Sequence, residues 1–232
     1  GLFRLRHAYA QLAWEKSSLT LGQTWYPSFV PEVFPGVANF STGIMFNPFG
    51  WVGQIRFRQS LTSNLSLDLV AYKDREFQAP VVSGNANNSP SFNSTTPTLH
   101  AQLQYKTKNV IAGVGAEYQS LKPVITSGGL ASDEKLNSTM LMGYLKYSNE
   151  NVVAKFYGIS GGNLHHLVML GGYASYAETN GIDSYKPTKT SAFWVDIASN
   201  KPNVAPGVFF GYTKNSGLED ANYKSLYVRG VS

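Results

Sequence analysis

At 232 residues, with 43% apolar residues and no cysteine, the chain can form one large all-β domain or two small ones, and it excludes a disulfide scaffold and thiolate metal sites. Charged residues are only 14%, against about 25% in ordinary soluble domains, while aromatic residues reach 13%. The net charge of +5 is spread along alternating segments, which argues against a nucleic-acid patch, and no run of about 18 apolar residues could cross a membrane as a helix.

The first arm, residues 3–14 (FRLRHAYAQLAW), alternates with a period of two, the spacing of a strand. It sets Arg4, Arg6, Ala8 and Ala10 on one side and Phe3, Leu5, His7, Tyr9 and Gln11 on the other. A turn at Lys16–Ser18 leads to an arm over 19–26, whose facing the sequence leaves unassigned. Residues 27–50 (PSFVPEVFPGVANFSTGIMFNPFG) form a long connection rich in proline and phenylalanine. The clearest hairpin follows, over 51–72 (WVGQIRFRQSLTSNLSLDLVAY). Gly53, Ile55, Phe57, Leu65, Leu67, Leu69 and Ala71 share its apolar side; Gln54, Arg56, Arg58, Asp68 and Tyr72 share the polar side, with Val70 out of place. Each arm is long enough for a tilted strand to cross a bilayer, and long alternating strands mark a transmembrane β-barrel.

A polar loop runs to about residue 97. Strands are expected over 98–106, with His100, Gln102, Gln104 and Lys106 on one side, and over 110–118, with Glu117 on the polar side. Further strands are expected over 138–147, 152–158, 191–198 (Asp196 inward), 207–213 and 225–231. The stretch before Thr190 reads as irregular, with a helical turn near 164–170. Connections alternate: short near 16, 63, 108, 149 and 201, long near 38, 85, 128, 175 and 219. Outer-membrane barrels separate short turns from long loops in this way. About eleven strands is an odd number, and the reading expects a single barrel domain over 1–232, incomplete at one or both ends.

The segments RLRHAYAQL, LGQTWYPSF, PEVFPGVANF and QIRFRQ resemble the DcaP-like outer-membrane porins of Gram-negative bacteria. The resemblance is best over residues 2–74, about a third of the chain. It implies a homotrimeric channel of about sixteen strands per subunit, passing small, often anionic, solutes through the outer membrane, where lipid or lipopolysaccharide surrounds it.

Arginine facing lipid at mid-membrane costs roughly 2–4 kcal/mol. Arg4, Arg6, Arg56 and Arg58 are therefore expected to face a lumen, with Gln54, Asp68, Gln102, Gln104, Lys106 and Glu117 beside them. They form either a basic ladder for anions or a set of ion pairs that holds the wall. His7 and Gln11, on the outward side of the first arm, suggest a subunit contact or a strand lying behind a loop. Pro31, Glu32, Phe34, Pro35 and Phe40 belong to the 27–50 connection, expected to fold against the lumen as a constriction; packing over a neighbouring subunit is the other option. The adjacent His165 and His166 have poor geometry for a shared metal, and no cofactor is expected. No phosphate loop or H-E-x-x-H motif occurs. The leading expectation is a passive porin, not an enzyme. The alternatives are a soluble β-sandwich or lipocalin-like binder, and a barrel hydrolase built on His7 or His100.

Overall fold

The computed structural model describes residues 5–37, 43–74, 88–177 and 181–218, and the strand at 224–229, with backbone alone at 177 and 224–229. Arg4 and Phe40 lie outside the described residues. The protein is all-β. Ten strands form one antiparallel sheet in sequence order: β1 (Ala8–Ala13), β2 (Ser17–Trp25), β3 (Trp51–Ser60), β4 (Leu65–Lys73), β5 (Thr98–Lys106), β6 (Val110–Leu121), β9 (Leu136–Ser148), β10 (Val152–Gly162), β13 (Lys189–Ser199) and β14 (Gly207–Gly217). Inserted between them are α1 (Ser89–Asn93), the pair β7 (Thr126–Ser127) and β8 (Leu130–Ala131), and the 3-10 turn Leu164–Leu167. A second sheet orders β12 (Asp183–Pro187), β11 (Gly171–Ala177) and β15 (Lys224–Arg229).

Neighbours in sequence are neighbours in the large sheet, so connections fall alternately at its two ends. Those at 14–16, 61–64, 107–109, 149–151 and 200–206 are short; those at 26–50, 74–97, 122–135 and 163–188 are long. Three short turns close on a side-chain oxygen that accepts backbone N–H groups just ahead of it. Thr62 Oγ1 takes Asn64 and Leu65, Thr107 Oγ1 takes Val110, and Asn149 Oδ1 takes Asn151 and Val152.

Alternation sorts the side chains onto two faces. Arg56, Arg58, Asp68, Gln102, Gln104 and Glu117 share one; Ile55, Phe57, Leu67, Leu69, Leu103 and Val114 share the other, as the period-two pattern requires. The first face is covered. Tyr157 Oη on β10 donates a 2.8 Å hydrogen bond to the carbonyl of Ser28, three residues past β2. Six strand steps separate β2 from β10, roughly 29 Å along a sheet at about 4.8 Å per step. Three residues and a tyrosine span only roughly 20 Å. The sheet is therefore strongly curved, with the covered face concave.

Several sequence expectations change. The first arm begins its strand only at Ala8, and its facing is reversed. Gln11 is paired with Thr20 and Arg56 across β1–β3, so it lies on the concave side, whereas Ala10 lies beside Leu21 and Ile55 on the convex side. Gln11 accordingly donates to Thr20 Oγ1 and needs no subunit contact to explain it. Arg6 precedes β1, and its guanidinium sits 4.9 Å from the centroid of the Trp51 ring. Residues 171–187, read as irregular, hold β11 and β12, and β15 joins β11 instead of continuing the large sheet beside β14. The 3-10 turn falls inside the expected helical stretch. The large sheet does not close: β1 and β14 are its two edges and do not pair with each other.

Candidate functional site: the covered concave face

Two long connections fold back over the concave face. The 26–50 connection starts in an aromatic nest of Trp25, Phe29, Phe49 and Trp51, whose ring centroids lie 4.4–5.8 Å apart. It then crosses toward the far strands. Glu32 meets Lys106 of β5 at 3.3 Å. The Gly36 N–H donates to Asp196 Oδ2 of β13 at 2.7 Å, and Lys155 of β10 reaches both that oxygen (3.3 Å) and the Phe34 carbonyl (3.2 Å). Trp194 Nε1 donates to Asn47 Oδ1 at 3.0 Å. These contacts pack the connection against the face that carries Arg56 and Gln102. Glu32 and the Phe34 carbonyl make two of these contacts, and Pro31 and Pro35 adjoin them in sequence. The second cover is the 3-10 turn, which buries Leu164, His165, His166 and Leu167.

Beneath both covers the concave face is more apolar than expected. Val52, Val70, Met140, Met142, Ile159 and Ala192 point inward and pack with Val30, Val33, Leu164, Leu167 and Met169. Val70, out of place as an outward residue, is an inward core residue paired with Arg56 and His100. Rings continue across the strands: Tyr144 on Tyr157 at 6.3 Å, Tyr157 on Trp194 at 6.1 Å, and Trp194 beside Phe209 at 6.1 Å. Gly113 makes room for this row, since a Cβ there would collide with the Tyr144 ring.

Of the polar residues singled out from sequence, Gln54, Arg56, Arg58, Asp68, Gln102, Gln104, Lys106 and Glu117 are on this face, and most are already engaged. Gln54 Nε2 donates to the carbonyls of Trp25 and Thr24, and Arg56 to the Trp25 carbonyl and to Gln54 Oε1. Arg58 forks onto Asp68 through two bonds of 2.6 and 2.7 Å, the strong bidentate geometry of a guanidinium on a carboxylate. Gln102 and Gln104 both donate to Tyr144 Oη. Among the described residues, Arg6, Arg56 and Arg58 therefore do not form a basic ladder. Arg58 is neutralised, Arg6 lies on Trp51, and the lysines Lys106 and Lys155 are paired with Glu32 and Asp196. Lys146, which the sequence reading did not single out, is level with Lys155 on the next strand and also faces inward.

A buried polar cluster fastens the 3-10 turn. Glu117 lies 3.2 Å from His100 Nδ1 and 3.3 Å from His166 Nε2, and Tyr72 Oη is 3.2 Å from the same His166 nitrogen. Asn163 joins His165, and through Gln119 the cluster reaches Asp74, which also accepts the Tyr26 hydroxyl. Among the described residues, neither His7, held by Thr24 and Trp51, nor His100, held by Glu117 and Gln102, has a serine as its partner.

Burial pushes the Asp74 carboxyl up, with His166 and the Tyr26 hydroxyl pulling only part of the way back. Burial works to lower the His166 pKa, but the Asp74 carboxylate and then Glu117 outweigh it and hold it above its ordinary value. Both shifts act on stability with one sign. The raised carboxyl destabilises the fold once pH exceeds its ordinary value of 3.8 and the carboxylate must be buried. The raised imidazole stabilises fully below 6.5, and that stabilisation is lost as pH rises through the folded value. The thermal unfolding midpoint is therefore expected to fall from pH 5.5 to pH 8.5, and His166→Gln to flatten the upper part of the curve. A wild-type midpoint that climbs over this range would contradict the assignment.

Compared with known proteins, the chain matches no family model and no curated protein.

Proposed function

We propose that this chain is the wall of a transmembrane β-barrel, a passive outer-membrane channel for small hydrophilic solutes with a preference for anions. The observation that carries the reading is on the convex face. None of the strand side chains there is a carboxylate or an arginine, and a continuous apolar band runs across it. On β2 and β3 the band is Leu19, Leu21, Ile55 and Phe57, ending at Ser17 and Gln59. On β13 and β14 it is Phe193, Val195, Ile197, Val208, Phe210 and Tyr212, ending at Ser191 and Lys214. The band's centre thus moves about five residues toward the short turns over about seven or eight strand steps. That is roughly 17 Å along the strands against roughly 36 Å across them. A level hydrophobic belt written on tilted strands has this slant. Ile55, Val114, Leu141 and Phe210 are more than half exposed on this face, where water would be an unfavourable neighbour.

In this reading the concave face is the lumen, and the 26–50 connection and the 3-10 turn narrow it. That side holds Arg56, Arg58, Lys106, Lys146 and Lys155 against Asp68, Glu117 and Asp196 of the strands and Glu32 of the connection, and this small excess of cations motivates the anion preference. The outer edges of β1 and β14 need strand partners in lipid, because an unpaired backbone group there costs several kcal/mol. A homotrimer is the assembly we expect from the resemblance.

The test is reconstitution into a planar bilayer. Single-channel steps with a reversal potential displaced toward the chloride value are expected at low salt, and the displacement should shrink as salt screens the lysines and arginines. A cation-selective channel would remove the anion preference alone. A protein that stays monodisperse in water without detergent and forms no channels would overturn the whole reading.

A further inference from the structure

The strand residues of the convex face include three cations, Lys73, Lys189 and Lys214, and all three lie at the end of the long connections. Lys73 is committed, its ammonium donating to the Ser94 carbonyl at 2.6 Å. Lys189 and Lys214 are exposed. Ser191 of β13 pairs directly with Lys214 of β14, and Lys189 lies two residues from Ser191 on the same side. The pairing shifts by one residue between Lys189, opposite Gly217, and Thr190, opposite Asn215, and Lys189 lies roughly 7 Å along β13 from Ser191, the residue that Lys214 faces. Beside them Ser191 Oγ and Ser160 Oγ of β10 face the same side, 2.8 Å apart and exposed. Two ammonium groups and two hydroxyls are thus gathered into a patch with no acid among the strand residues of that face. Directly below it begins the apolar band, at Phe193 and Tyr212. The spacing suits one phosphate group held by two point charges with hydroxyl donors at its base.

We infer that this patch binds the phosphorylated headgroup of a membrane lipid. The inference rests on the membrane reading above. A belt of apolar side chains seats the patch at headgroup depth, and long lysine stems lie along apolar surface while their ammonium groups reach the phosphate layer. The site would take anionic phospholipid or another lipid phosphate in preference to a zwitterionic headgroup, whose choline offsets the charge.

The experiment uses the full chain in neutral detergent and short-chain phosphatidylglycerol or phosphatidylcholine, with binding read by native mass spectrometry and by the shift in unfolding temperature. Phosphatidylglycerol is expected to bind roughly tenfold or more tightly than phosphatidylcholine, since each basic residue near an anionic headgroup layer contributes on the order of a fivefold gain. Lys189→Ser with Lys214→Ser should erase that preference while leaving the unfolding temperature without lipid unchanged, because both positions are exposed and stay polar. Lys201→Ser, in a short turn at the opposite end, should leave the preference intact. Equal preference in the double variant overturns the site. Competition by millimolar inorganic phosphate as effective as the lipid overturns the lipid as its occupant. A chain that needs no detergent at all signals failure of the membrane reading itself, a result separate from loss of headgroup preference.

Discussion

Asp196→Ala is expected to release the tip of the 26–50 connection and to raise single-channel conductance. Asp196 is nearly buried and holds two groups at once, the Gly36 N–H and the Lys155 ammonium. Removing it leaves a mostly buried lysine without its carboxylate and frees the turn at Gly36. A charge-assisted hydrogen bond of this kind contributes roughly 1.5–3 kcal/mol, so the local cost should be about 2 kcal/mol. Glu32→Gln should do much less, because the Lys106–Glu32 pair is exposed on both sides and such pairs contribute at most about 1 kcal/mol. Limited proteolysis between residues 30 and 37 should accelerate in the Asp196 variant. If neither proteolysis nor conductance changes, the connection is held by its aromatic nest and not by this latch.

Trp194→Ala is expected to be the most damaging single substitution on the sheet. Trp194 is fully buried, stacked between Tyr157 and Phe209, and its indole N–H satisfies Asn47. Truncation of a buried tryptophan costs about 3–5 kcal/mol, and Asn47, itself buried, would lose its donor. Phe210→Ala, one strand over on the opposite face, removes a side chain that is 59% exposed. It should change the unfolding free energy in detergent by under about 1 kcal/mol. Denaturant titration of the two variants in the same detergent measures the contrast. Equal losses would mean that the convex face is packed against another part of the protein.

Alternation was readable because it is local. Residues 51–72 show their two faces without any neighbour, and the positions of Ile55, Phe57, Arg56 and Arg58 on the sheet agree with that reading. The turns near 63, 108 and 149 were equally plain, since one Thr or Asn side chain closes each. Errors arose where alternation lacked a second constraint. Residues 3–14 alternate, but only pairing with β2 and β3 reveals that Gln11, not Ala10, shares the side of Arg56. Glycine-rich and tyrosine-rich 171–187 gave no clean period, so β11 and β12 were missed; their small sheet is organised by pairing with β15 about fifty residues on.

The identity of each face, polar-lined or apolar, and the long connections follow from the residues in order, because side-chain direction and turn closure depend on a few adjacent positions. Which polar residues remain free does not. Arg58 and Asp68 meet because β3 and β4 pair in one register. Glu117 meets His166, and Gly36 meets Asp196, across 49 and 160 residues. Those contacts exist only once the sheet has curved enough to bring its concave side within reach of its own connections, and that curvature is a property of ten strands together, not of any one.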